Sequence, residues 1–241
     1  MIEVFENTEN LNKQTAAIFI EKAQEAIKAN GKFTVALTGG SSPAGLYRLL
    51  ASDDYKNKID WTKVFVFWGD ERWVPIDDEK SNAGAAFNDF LNHIPIPKEN
   101  IFPMWKKDVE PEEYAKEYEA ILEDHLEQGE RFDLILLGMG DDGHTASLFP
   151  NQQIILQEKE KKVAAYYLAP QSMHRITLTA PLINKAKQIV FLVFGEKKSN
   201  ALYEVLQGER NSDLYPTQLI NMDKGNVTCM VDKAAASKLS L

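Results

Sequence analysis

His144 stands two residues after Asp142 in Gly138-Met139-Gly140-Asp141-Asp142-Gly143-His144. Histidine titrates near neutral pH, and a carboxylate beside it can orient the ring and stabilise its protonated form. The pair has the chemistry of a general base. It follows Leu134-Ile135-Leu136-Leu137, an apolar run that reads as a buried parallel strand. In open α/β sheets ligands bind beyond the carboxyl ends of strands, where this pair falls. The plain alternative is a structural histidine satisfied within a turn. A metal site from Asp141, Asp142 and His144 would lack a further histidine at ligand spacing, so no metal is expected.

The same glycines spell G-x-G-x-x-G. A dinucleotide fingerprint opens onto a helix whose free N–H groups meet pyrophosphate. Here two acids in the turn would repel phosphate, and Pro150 cuts the next segment short. A nucleotide-dependent oxidoreductase would rest on the glycine pattern alone.

Other polar groups also follow apolar strands. In Thr38-Gly39-Gly40-Ser41-Ser42-Pro43, Gly39 and Gly40 let the backbone approach a ligand, Ser41 and Ser42 can donate, and the start of a helix adds positive potential. These suit a phosphate, although no Lys-Ser/Thr follows at P-loop spacing. In Asp70-Glu71-Arg72, Arg72 could bind phosphate or carboxylate in a bidentate way, and Asp70 or Glu71 could hold sugar hydroxyls. A surface ion-pair cluster is the alternative. Arg175, Thr177 and Thr179 alternate with apolar residues and share one strand face, lining a pocket or facing solvent. Lys198 falls in the first turn of a helix, where a cation opposes the macrodipole unless an anion sits there. Together these groups describe a phosphate pocket, with His144 and Asp142 across from it. A sugar phosphate held at one end and worked on at the other fits. His93, His125 and His174 read as a loop, an acidic-helix and a rim residue.

The elements that must position these groups alternate. Strands are expected at Ile2–Phe5, Phe33–Leu37, Val64–Trp68, from Leu134, at Val163–Leu168, Ile176–Thr179, Gln188–Phe194 and Val227–Val231. Helices are expected at Leu11–Ala29, with Asn30-Gly31 as a left-handed stop, and at Ala44–Ala51, with Pro43 at its first position and Ser42 as cap. Others are expected at Ser81–Leu91, Pro111–Leu126, Glu196–Leu206 and from Lys233. Pro95–Trp105 reads as a connection, and Pro95–Leu126 as material for a smaller lobe. The order predicts an α/β fold, Rossmann-like, with a mainly parallel sheet flanked by helices, in a single domain over 1–241.

The totals narrow the class. With 44% hydrophobic and 26% charged residues the composition is that of a soluble globular protein, and a net charge of -9 argues against nucleic acid as partner. Cys229 is the only cysteine, so no intrachain disulfide forms; it reads as a core strand residue. The first residues lack a basic region and an apolar stretch, no apolar run spans a membrane, and the cytoplasm is the expected location. No G-x-S-x-G elbow supplies a serine nucleophile.

GGSSP, GDERWVP, GMGDDGHTASLFP, RITLTAP and GEKKSNAL, in that order, resemble the 6-phosphogluconolactonase family of the glucosamine-6-phosphate isomerase/lactonase superfamily. The resemblance runs from Phe33 to about Leu206. It implies hydrolysis of 6-phospho-D-glucono-1,5-lactone in the oxidative pentose phosphate pathway, without metal or organic cofactor. It implies catalysis by His144 with Asp142, and substrate or phosphate binding by Gly39, Gly40, Ser41, Ser42, Asp70, Arg72, Arg175 and Lys198. A monomer is expected. The related glucosamine-6-phosphate deaminases carry a glutamate five residues after the histidine, where this chain has Phe149, which argues against deamination. A non-catalytic sugar-phosphate sensor would need a DNA-binding module, and no helix-turn-helix with a basic face precedes the domain.

Overall fold

Short apolar runs bounded by turn residues form the strands. β1 (Ile2–Phe5), β2 (Phe33–Leu37), β3 (Val64–Trp68), β5 (Leu134–Gly138), β8 (Ile189–Val193) and β9 (Val227–Asp232) make a six-stranded sheet in the order β1-β9-β8-β5-β2-β3. Every pairing in it is parallel. β4 (Asp70–Arg72), β6 (Val163–Leu168) and β7 (Met173–Leu178) form a second, antiparallel sheet in the order β4-β7-β6. The structure, a computed structural model, describes residues 1–126, 129 and 131–240. β2 and β8 are buried along their whole length, as strands covered on both faces must be.

The chain leaves β2 for β3 on one side and later fills β5, β8 and β9 on the other. The order therefore reverses between β2 and β5. Their pairing is confined to Val35 with Leu134 and Ala36 with Ile135, after which the strands part. The next link is the Gly138 N–H donating to Thr38 Oγ1 at 3.2 Å. A crevice at such a reversal, at the carboxyl ends of the strands, is where α/β sheets bind ligands.

The helix Thr8–Asn30 covers one face with Leu11, Ala16, Phe19 and Ala23. It starts earlier than expected because Asn7 caps it, its side chain accepting from the Asn10 N–H at 2.9 Å. Gly31 ends it at φ 77°, the left-handed stop its sequence announced. Phe19 meets Phe33 edge-on at 5.4 Å and Trp61 meets Phe90 at 5.5 Å. Burying each such ring contributes roughly 1.5–3 kcal/mol.

Three expectations change. Asp70-Glu71-Arg72 is a strand, because pairing with β7 satisfies its backbone. Pro95–Leu126 forms no lobe of its own. Ile101 bridges β3 at Val66, and the Phe102 N–H donates to Val66 O at 2.9 Å. Phe102 then stacks on Phe67 at 4.8 Å, so the prolines interrupt regular structure without preventing burial. From Lys233 the chain forms only a 3₁₀ turn, Ala235–Lys238. Among the described residues no helix is long and apolar enough to cross a membrane.

Candidate active site

The turn after β5 folds back on itself. The Gly140 N–H donates to His144 O at 2.8 Å and the Gly143 N–H to Gly140 O at 3.1 Å. Gly143 adopts φ 78°, a conformation that favours glycine. Thr217 clamps the turn from a distant loop, giving its N–H (3.0 Å) and hydroxyl (2.9 Å) to Gly143 O. The Gly140 and Gly143 N–H groups are thus committed within the turn.

The folded turn brings Asp142 Oδ1 to 2.5 Å from His144 Nδ1, and the same oxygen accepts the His144 N–H at 3.1 Å. With Nδ1 held this way, Nε2 is left to face a reactant. Burial pushes the Asp142 carboxyl up, but its contacts with the His144 ring outweigh this and hold it below its ordinary value. Gly140 is indispensable here: a Cβ on it would lie 2.1 Å from His144 Nδ1 and 2.4 Å from Asp142 Oδ1. Gly140→Ala must displace the His144 ring, the Asp142 carboxylate or both. The expected result is a fall in kcat of roughly 10²-fold, the scale of a 1 Å misplacement, with an unchanged circular dichroism spectrum. A wild-type kcat would show that the pair is not needed.

A cavity of about 240 Å³ opens over the β2–β5 crevice. Gly39, Gly40, Ser41, Ser42, Asp70, Arg72, His144, Arg175 and Lys198 all line it, whereas Asp142 stands behind His144. Ser42 does not cap the helix Ala44–Ala51. Pro43 takes the cap position without a side-chain bond, leaving the Ser42 hydroxyl for the cavity. Tyr47 steadies the loop from below, its hydroxyl donating to Thr38 O at 2.7 Å.

Two arginines converge on the opposite wall. Arg72 on β4 pairs in register with Arg175 on β7. Like charges directly opposite on antiparallel strands destabilise a sheet. Arg175 is only 4% exposed. Its Nη2 donates to Gln171 Oε1, and its Nε has no partner. Burial lowers its pKa; Asp70 opposes the shift and Arg72 adds to it. Arg72 Nη1 donates to Asn82 Oδ1 and Lys80 O, each at 2.8 Å. Lys198, at the start of the helix Ser199–Leu206, makes no ion pair among the described residues. A bound anion would relieve the repulsion and supply the missing acceptor.

Asp70 sits beneath these cations, its carboxylate accepting from the Ser147 hydroxyl at 2.6 Å. Glu71, which sequence reasoning offered to sugar hydroxyls, is fully buried and points away from the cavity. It receives the N–H groups of Arg72 (2.8 Å), Asn82 (2.7 Å) and Ala83 (2.7 Å), and the Ser81 hydroxyl (3.1 Å). It therefore caps the helix Asn82–Asp89. Burial pushes its carboxyl up to about 7, against the pull of those N–H donors. Glu71→Gln replaces an acceptor with a donor facing donors. It should cost about 2 kcal/mol, or roughly 4–8 °C in Tm; an unchanged melting curve would refute the cap. Thr177 and Thr179 are also withdrawn from the site. Thr177 Oγ1 accepts the Ser147 N–H at 3.2 Å, and the Thr179 hydroxyl donates to Lys161 O at 2.7 Å.

Sequence reasoning missed Thr38, Asn82 and Gln171, which line the cavity. Asn82 reaches it because Gly39 has no side chain: a Cβ there would lie 1.8 Å from Asn82 Oδ1. His93 and His125 bond the carbonyls of Asn88 and Ile121, and His174 packs on Tyr167. Among the described residues no cluster of three His, Cys, Asp or Glu side chains could hold a metal ion.

The profile described as glucosamine-6-phosphate isomerases/6-phosphogluconolactonase matches residues 6–229. The chain belongs to that family. A 6-phosphogluconolactonase from Synechocystis is 37% identical over 242 residues, covering 99% of this chain and 98% of the relative. One from Haemophilus influenzae is 38% identical over 230 residues, covering 93% and 97%. The solved structure of 6-phosphogluconolactonase from Trypanosoma brucei superposes with a TM-score of 0.85 at 26% identity, covering 100% of this chain and 98% of that one.

Proposed function

We propose that this chain is a 6-phosphogluconolactonase: it hydrolyses 6-phospho-D-glucono-1,5-lactone to 6-phospho-D-gluconate, with water activated by His144. The observation that carries the mechanism is the His144–Asp142 pair at 2.5 Å facing the same cavity as the opposed Arg72 and Arg175. At about 240 Å³ the cavity is below the roughly 300–1,000 Å³ of drug-sized pockets, a scale that suits one small metabolite.

Arg72, Arg175, Lys198 and the Gly39–Ser42 loop hold the phosphate, and C1 of the lactone lies near His144. Nε2 of His144 takes a proton from water as the water oxygen attacks C1. Asp142, ionised at neutral pH, stabilises the imidazolium that forms. The tetrahedral intermediate collapses with cleavage of the bond from C1 to the ring oxygen. That oxygen leaves with the proton from His144, which returns to its starting form. The product acid then ionises. We read residues 1–241 as one domain, acting as a monomer in the cytosol within the oxidative pentose phosphate pathway.

The test measures hydrolysis of freshly prepared lactone by purified protein, with the spontaneous rate subtracted, beside ammonia release from glucosamine 6-phosphate. Lactone hydrolysis without ammonia is expected. Ammonia release without hydrolysis would overturn the reading in favour of a deaminase. The side chain five positions after His144 argues the same way, since Phe149 presents a ring and no carboxylate.

A further inference from the structure

Nδ1 of His144 has one partner, Asp142 Oδ1. A ring held by a single in-plane bond can still rock about that bond. Its side chain is 28% exposed, so it is not packed tightly on every side. One face of the imidazole lies against Phe149. Its ring stacks on the imidazole with centroids 4.1 Å apart and planes 25° apart. The Arg175 guanidinium carbon lies 5.4 Å from the centre of the same ring. One aromatic ring therefore touches both the proposed base and a cation of the proposed phosphate site.

The chain between them is shaped to deliver that ring. Ala146 adopts φ 47°, a conformation that is strained for a residue with a Cβ. This reverses the chain so that the Leu148 N–H donates to Thr145 O at 2.9 Å. Ser147 pins the reversal from beneath: its hydroxyl bonds Asp70, its N–H bonds Thr177 Oγ1, and its carbonyl accepts the Tyr166 hydroxyl at 2.7 Å. Strain held by buried bonds on every side is the mark of a segment built for placement.

We propose that Phe149 is a positioning residue for the reaction. Its ring is the platform that fixes the plane of the His144 imidazole and seats the Arg175 guanidinium, so that the base and the phosphate cation keep a set separation. This rests on the hydrolytic reading of the site. Stacked rings and a cation over a π-face are each favourable contacts, and they orient as well as attract.

The test compares Phe149→Leu, apolar but without a flat face, with Phe149→Tyr, which keeps the ring. Phe149→Leu should lower kcat about 10- to 100-fold, the scale of sub-ångström to 1 Å misplacement, and raise KM several-fold. Phe149→Tyr should stay within about threefold of the parent. Equal losses in both variants, tracking a fall in Tm, would reduce Phe149 to core packing and overturn the proposal, as would a full kcat in Phe149→Leu. A second measurement needs no activity. In histidine-labelled protein, the His144 ring protons, assigned by their loss in His144→Asn, should be shielded by the Phe149 ring current and move downfield in Phe149→Leu. No movement would overturn the proposal. If the parent protein hydrolysed no lactone while the shielding was present, the functional reading alone would fail.

Discussion

His144→Ala should lower kcat for lactone hydrolysis by about 10²- to 10⁴-fold, the contribution expected of one positioned general base. The physical reason lies in what the substitution spares. The cations proposed to hold the phosphate stand on β4, β7 and the start of the helix Ser199–Leu206, none of which depends on the imidazole. KM should therefore change by less than about threefold, since an interaction used only in the transition state is lost. Steady-state kinetics on fresh lactone, with the spontaneous rate subtracted, measures both. A kcat near the parent's would remove His144 from the chemistry, and a loss confined to KM would make it a binding residue. Asp142→Asn reports on the same pair. It should leave the fold intact and lower kcat by a smaller factor, because the ring keeps a hydrogen-bond partner but loses the charge that stabilises its protonated form.

The second large effect falls on binding. Arg175→Ala removes the guanidinium of a residue that is 4% exposed and whose Nε has no hydrogen-bond partner. Truncating one partner of a buried charge-assisted pair costs about 2–5 kcal/mol, so KM should rise at least roughly 30-fold. kcat should fall far less, because phosphate contacts are made equally in ground and transition states. Inorganic phosphate supplies a readout without turnover. It should raise the Tm of the parent protein by mass action and leave that of Arg175→Ala unmoved. A variant stabilised by phosphate as strongly as the parent would take Arg175 out of the anion site. Arg175→Lys should recover only part of the affinity, since an ammonium cannot reproduce the planar fork.

Much of this site was legible before any coordinates. Apolar runs ending in glycine and charge marked the carboxyl ends of β2, β3, β5 and β8, because a parallel strand buried on both faces must place its chemistry beyond its end. The nearness of Asp142 to His144 was equally local, since two residues within one glycine turn have few ways to avoid each other. Gly31 as a helix stop and Phe149 at the position five residues after His144 were also plain from order alone.

Other features depend on partners far away in the chain. That Asp70-Glu71-Arg72 is a strand follows from β7, more than 100 residues later, whose edge satisfies its backbone. The opposition of Arg72 and Arg175, the strongest sign of an anion site, exists only through that pairing. Glu71 and Asp70 are adjacent and of like charge, so composition could not separate them. Alternation along β4 sends their side chains to opposite faces, one into the helix Asn82–Asp89 and one toward the cavity. Sequence by itself determined which residues are candidates for the chemistry, because side-chain type and strand-end position are local properties. Tertiary structure decided which of them face one another, which are spent on the scaffold and which ring stacks on the His144 imidazole. Those depend on strand register and on the reversal of sheet order between β2 and β5, and no window of local sequence contains either.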